Sequence, residues 1–87
     1  MDRNSENEFR DQLESQHTFP GIYTFKFILP SGKIDLIKTI LPEKEIIQKR
    51  SRNGNYISVT ARLTVESPDD VIRIYKEASQ IEGIIKL

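Results

Sequence analysis

The chain has 87 residues, 37% hydrophobic and 30% charged, with Lys+Arg 13 balancing Asp+Glu 13 and no cysteine. This is one domain's worth of sequence, able to bury little more than about 60% of its unfolded surface, so one well-patterned pair of layers has to carry its stability. The balanced charge excludes a global field for nucleic acid or an anionic membrane, and the absence of cysteine excludes disulfides, thiolate chemistry and the usual zinc clusters, which fits a cytoplasmic setting.

No apolar run approaches the roughly 20 residues that span a bilayer, and the polar, acidic N-terminus is the opposite of a signal peptide. Residues 1–18 hold Asp2, Glu6, Glu8, Asp11 and Glu14 against Arg3 and Arg10, which leaves +3 on the remainder. Phe9 and Leu13 stand four apart, so the segment is expected to form a short helix, about Ser5 to Ser15, capped by Ser5 and docked by one apolar stripe. His17 and Thr18 lead to Phe19-Pro20, where Pro20 imposes an extended approach to the next element.

From Gly21 to Leu29 the residues alternate. Tyr23, Phe25, Phe27 and Leu29 make the core face of a first strand, and Ile22, Thr24, Lys26 and Ile28 the other. Pro30-Ser31-Gly32 breaks that strand and opens a short helix with Ile34, Ile37 and Leu41 at helical spacing, stopped by Pro42. Glu43 to Ser51 reads as a second, weaker strand with one isoleucine per face, which suits an edge. Asn53-Gly54 then signals a two-residue hairpin turn with positive φ at both positions. The third strand, Asn55 to Glu66, turns Ile57, Val59, Ala61, Leu63 and Val65 inward, and Tyr56, Ser58, Thr60, Arg62 and Thr64 outward.

Ser67, Pro68, Asp69 and Asp70 give the strongest helix start in the chain, and losing the Ser67 cap is expected to cost about 1 kcal/mol. Val71, Ile74, Tyr75, Ala78 and Ile81 form the buried stripe of that helix, and Gly83 closes it. Gly83 to Leu87 reads as a short last strand. The element order predicts an α+β, ferredoxin-like βαββαβ plait over residues 19–87: a four-stranded antiparallel sheet in order 4-1-3-2, two helices on one face, and the extra N-terminal helix. Right-handed crossovers set the first and third strands at the centre, read here as running parallel. The face with Thr24, Lys26, Gln48, Arg50, Tyr56, Ser58, Thr60 and Arg62 is left open, or covered by the N-terminal helix as the one spare element.

Phe19-Pro20, Tyr23, Phe25-Lys26, the run Arg50-Ser51-Arg52-Asn53-Gly54-Asn55-Tyr56 with Ser58-Val59-Thr60, and the closing Gly83-Ile84-Ile85-Lys86-Leu87 resemble the YbeD-like family of small bacterial proteins. The resemblance covers residues 19–87. It implies a ferredoxin-like domain similar to the ACT regulatory domains, with no established activity and a regulatory or binding role. The chain departs from the family pattern in its shorter first crossover helix and its additional N-terminal segment.

No catalytic constellation is present. Pro30-Ser31-Gly32-Lys33 lacks the full phosphate-loop spacing, His17 is the one histidine and has no companion ligands, and Ser31, Ser51, Ser58 and Ser67 have no identifiable base. No enzyme activity, metal or cofactor is expected. Binding is expected at Lys26, Arg50, Ser51, Arg52, Gly54, Tyr56 and Ser58, where the open face meets the hairpin. The partner is a protein, a second copy through a sheet edge as in ACT-like domains, or a small metabolite, and no membrane. The alternative is a nucleic-acid accessory role for Lys49, Arg50, Arg52 and Arg62, weakened because Tyr56 alone makes no stacking platform.

Overall fold

A computed structural model describes residues 2–87 of the chain. Its elements are α1 (Arg3–Gln16), β1 (Gly21–Pro30), α2 (Ile34–Ile37), β2 (Ile46–Arg50), β3 (Tyr56–Val65), α3 (Pro68–Ala78) and β4 (Ile85–Lys86). The strands form one four-stranded antiparallel sheet in the order β2-β3-β1-β4, which has the neighbours of the expected 4-1-3-2 read from the opposite edge. β1 and β3 are antiparallel, not parallel, with Gly21 opposite Val65 and Pro30 opposite Tyr56. The hairpin makes β3 antiparallel to β2 and then inserts it beside β1, so β1 shares its direction with β2.

The alternation in β1 and β3 reports burial directly. Phe25, Phe27 and Leu29 are buried from β1, and Ile57, Val59, Ala61 and Val65 from β3. Above them lie Val71, Ile72, Ile74, Tyr75 and Ala78 of α3, with Ile37, Leu41 and Ile81 sealing the ends. Tyr75 sits at the centre of the rings, its centroid 5.4 Å from Phe25 and 5.7 Å from Phe27, and its hydroxyl 3.3 Å from that of Tyr23. Burial, reinforced by the Tyr23 hydroxyl, pushes the Tyr75 phenol above its ordinary range.

α1 joins this helical layer and does not cover the open face. Leu13 is buried in the common core, and the Phe9 ring meets Tyr75 edge-on at 5.6 Å. Arg10 donates to Asp69 Oδ1 from both Nε and Nη2, at 3.0 and 2.8 Å, and Lys76 pairs with Glu6. These polar contacts all reach α3, which is why the spare helix lies beside it. Its cap is Asp2, not Ser5: the Asp2 carboxylate accepts from the Ser5 N–H at 2.8 Å, a bond that holds its pKa below the usual range.

Three local expectations are corrected. Glu43–Glu45 is a 3-10 turn, so β2 starts at Ile46, after Pro42 has redirected the chain. Ser67 occupies the N-cap of α3, but its hydroxyl makes no capping bond; Asp70 accepts from the Glu66 N–H at 2.9 Å instead. In the hairpin Gly54 alone has positive φ, at 78°, because the connection is longer than two residues: Gly54 N–H closes a turn on the Ser51 carbonyl at 3.0 Å, and Ser51 N–H reaches Tyr56 at 2.8 Å. β4 is two residues long, and its Gly83 approach, at φ 83°, fits closely against Pro30.

Candidate functional site

Residues paired directly across antiparallel strands share a face, and this rule redraws the open face. Arg50 lies opposite Ile57 and Gln48 opposite Val59, so both point to the helix side with the core residues of β3. Ile47, opposite Thr60, and Lys49, opposite Ser58, take their places on the open side. The expected assignment of Gln48 and Arg50 to that side is therefore corrected. Ile85 joins the open side through its pairing with Ile28.

The resulting surface is apolar in patches and cationic. Ile22, Ile47, Tyr56 and Ile85 are 61%, 70%, 48% and 53% exposed, which places four of the chain's large exposed hydrophobic side chains on one face. Lys26, Lys49 and Arg62 stand among them. No strand contains an Asp or Glu; the strand cations are Lys26, Lys49, Arg50, Arg62 and Lys86. Among the described residues every ion pair involves Arg10, Lys38, Arg73 or Lys76, so the cations of the open face are uncompensated.

The hairpin end of the face is rigidly built. Ser51 Oγ donates to Asn53 Oδ1 at 3.0 Å and accepts from the Tyr56 N–H at 3.1 Å. Asn53 Oδ1 also accepts from the Asn55 N–H at 3.1 Å. Ser31, beyond β1, anchors the turn from outside: its hydroxyl donates to the Gly54 carbonyl and its N–H to the Asn55 carbonyl, the latter at 2.9 Å. Ser58 Oγ donates to the Lys49 carbonyl at 3.3 Å. The hydroxyls of Ser31, Ser51 and Ser58 are thus engaged in holding main chain, and no base faces any of them.

Of the predicted site residues, Arg50, Ser51, Tyr56 and Ser58 come together, with Ile28 and Lys49, around a shallow depression of about 170 Å³. Lys26 lies farther along β1, opposite Thr60, Arg52 is exposed at the tip of the turn, and Gly54 serves the turn itself. The basic run of the sequence is divided: Lys49 and Arg62 share the open face, while Arg50 and Arg52 do not. Ile47, Ile85 and the placement of Lys49 were missed; the Asn53-Gly54 position already fixes the cross-strand partners of Ile47 and Lys49, whereas Ile85 is placed only by the pairing of β4 with β1. His17 is exposed between α1 and β1, its ring 5.2 Å from Tyr23. Among the described residues no cluster of His, Asp or Glu could hold a metal ion, and no helix is long and apolar enough to cross a membrane.

The model of a family described as "protein of unknown function (DUF493)" matches residues 14–87. The chain is also similar to a "UPF0250 protein" of Shewanella halifaxensis (strain HAW-EB4), 30% identical over 73 residues that cover 76% of this chain and 83% of the relative. Both matches bear out the YbeD-like resemblance, and neither name indicates a catalytic activity. No solved structure matches the chain.

Proposed function

The chain belongs to the DUF493 family, and from that premise we propose that it is a non-enzymatic regulatory or adaptor module, cytoplasmic and built as an ACT-like, ferredoxin-like plait, that binds a partner protein through its open sheet face and the 51–58 hairpin. The observation that carries this reading is the face itself: exposed Ile22, Ile47, Ile85 and Tyr56 interleaved with uncompensated Lys26, Lys49 and Arg62. Single exposed hydrophobics need no explanation, but four on one face of a small sheet favour a protein interface. The free cations favour an acidic rim on the partner.

The size of the face sets the kind of complex. The strands have 10, 5, 10 and 2 residues, and at about 4.8 Å between strands and about 3.3 Å per residue they offer a footprint of roughly 430 Å². That is about half of what each partner contributes to a standard interface, which suits a transient regulatory encounter. A small metabolite fits less well at the hairpin, because the depression there, about 170 Å³, falls below the roughly 300 Å³ at which ligand pockets begin.

Pull-down from a native extract with the intact protein and with Ile47→Asp tests the reading. A partner retained by the first and lost with the second is the expected result; identical retention by both, or none by either, overturns it. The free cations also favour a second reading, a nucleic-acid accessory protein. Titration with a labelled single-stranded oligouridine decides it: affinity that falls linearly with log salt and weakens in Lys49→Ala and Arg62→Ala would establish that reading, and absence of binding at low salt would dismiss it.

A further inference from the structure

β4 covers very little of the edge on which it lies. It pairs Phe27 with Lys86 and Ile28 with Ile85, and the Leu87 N–H reaches the Lys26 carbonyl at 2.9 Å. These bonds show that the main-chain groups of the even-numbered β1 residues point away from β3. At Ile22 and Thr24 the same outward N–H and C=O groups have no strand beside them among the described residues, and both residues are exposed.

Next to this bare edge, on the helix side, lies a cavity of about 250 Å³ lined by Phe9, Tyr75, Lys86 and Leu87. The Lys86 ammonium stands 6.0 Å from the centre of the Tyr75 ring. Side chains of neighbouring strands share a face when paired, so a residue set opposite Phe25 in a strand continuing the line of β4 would point to that same side, where Tyr75 packs on Phe25.

We propose that the outer edge of β1 from Ile22 to Lys26 is a docking site for an extended peptide of a partner protein, which adds as a strand beyond β4 and sets one large apolar side chain between Phe9 and Tyr75. Unpaired edge amides require an extended ligand, not a helix. Lys86 at the cavity rim and Lys26 on the other side of the edge call for an acidic residue next to the apolar one. The same charges disfavour a second copy of the chain, since each of its strands would bring cations and no acid to the pairing. This edge shares Ile22 and Lys26 with the open face but would take its ligand through main-chain groups, so Ile47→Asp and Thr24→Pro separate the two readings.

The test is selection from a displayed library of random dodecapeptides on the intact protein, followed by affinity measurement with synthetic copies of the selected peptides. The expected peptides pair a large apolar residue with an acid, and their addition slows amide exchange at Ile22 and Thr24. Thr24→Pro removes the outward N–H while the odd-numbered residues keep their bonds to β3, a substitution that sheet edges tolerate. It is expected to weaken binding about tenfold or more, and Thr24→Val to leave it unchanged. The exchange measurement decides the matter on the unaltered protein even if Thr24→Pro fails to fold. Selected peptides that leave the Ile22 and Thr24 amides unprotected, peptides whose binding is abolished by Ile47→Asp but not by Thr24→Pro, or selection that yields no binder would overturn the proposal. So would a dimer in sedimentation that protects these amides with no peptide present.

Discussion

Two neighbouring residues of β3 provide the sharpest check on which side of the sheet is core. Val59 is fully buried between the Phe27 strand and the edge strand, and Thr60 faces the open side with Lys26 and Ile47 opposite it. In Val59→Asp the lost apolar burial costs about 2 kcal/mol, and a carboxylate enclosed without a partner adds several more. The total, more than about 5 kcal/mol, rivals the whole stability of a domain this size, roughly 4–13 kcal/mol at about 0.05–0.15 kcal/mol per residue. Val59→Asp is therefore expected to be largely unfolded in buffer. Thr60→Asp places the same carboxylate across from the Lys26 ammonium in water-accessible surroundings, so its effect stays within about 1 kcal/mol of either sign. Urea unfolding followed by far-ultraviolet circular dichroism separates the two, because a slope of about 1–1.5 kcal/mol/M turns 1 kcal/mol into less than about 1 M at the midpoint. A Thr60→Asp protein less stable than Val59→Asp would show that the two faces had been exchanged.

Other expectations follow from single contacts. Asp70→Ala should destabilise the domain by about 1 kcal/mol in urea melts, and Ser67→Ala by only a few tenths, because the carboxylate and not the hydroxyl satisfies the main chain at the start of α3. Gly54→Ala should cost about 1–2 kcal/mol, since its φ of 78° disfavours any Cβ although the space beside it is open; an unchanged melt would mean the turn rearranges freely. The hydrogen bond from Lys76, aided by its charge and that of Arg10, holds the Glu6 carboxyl below its ordinary value of 4.5. A depressed carboxyl stabilises the docked α1 above its unfolded pKa, and that contribution is lost as pH falls from about 4.5 through the folded value. The α1 amides should accordingly exchange faster relative to those of β3 across that window, and Glu6→Gln should remove the difference.

The long strands were legible because their two sides differ in polarity over ten residues, which leaves a single pairing that buries Phe25, Phe27, Val59 and Ala61 together. β2 was harder. With Ile46 on one side and Ile47 on the other, its own pattern cannot say which side is core, and the answer lies in the pairing with β3. The same holds for the cap of α3, where Ser67 and Asp70 both offer an oxygen and only geometry decides between them. The site was half visible: Tyr56, Ser58 and Lys26 follow from strand alternation, whereas Ile47 and Ile85 come from short edge strands with too few residues to show a period.

The segregation of charge between layers has a further consequence. The acidic residues lie wholly outside the strands, many of them on α1 and α3, while the sheet contributes cations alone. A protein with formal net charge +0 thus presents the unpaired cations Lys26, Lys49 and Arg62 on the open side of its sheet and most of its helical charge as acid. In an ionic gradient it should behave as two proteins in one, held by anion exchangers through its helices and by cation exchangers through its sheet, with neither predicted by an isoelectric point near 6.6. Approaching a charged partner within roughly 10 Å, the Debye length at 0.1 M salt, it would be turned to the correct side before any contact forms.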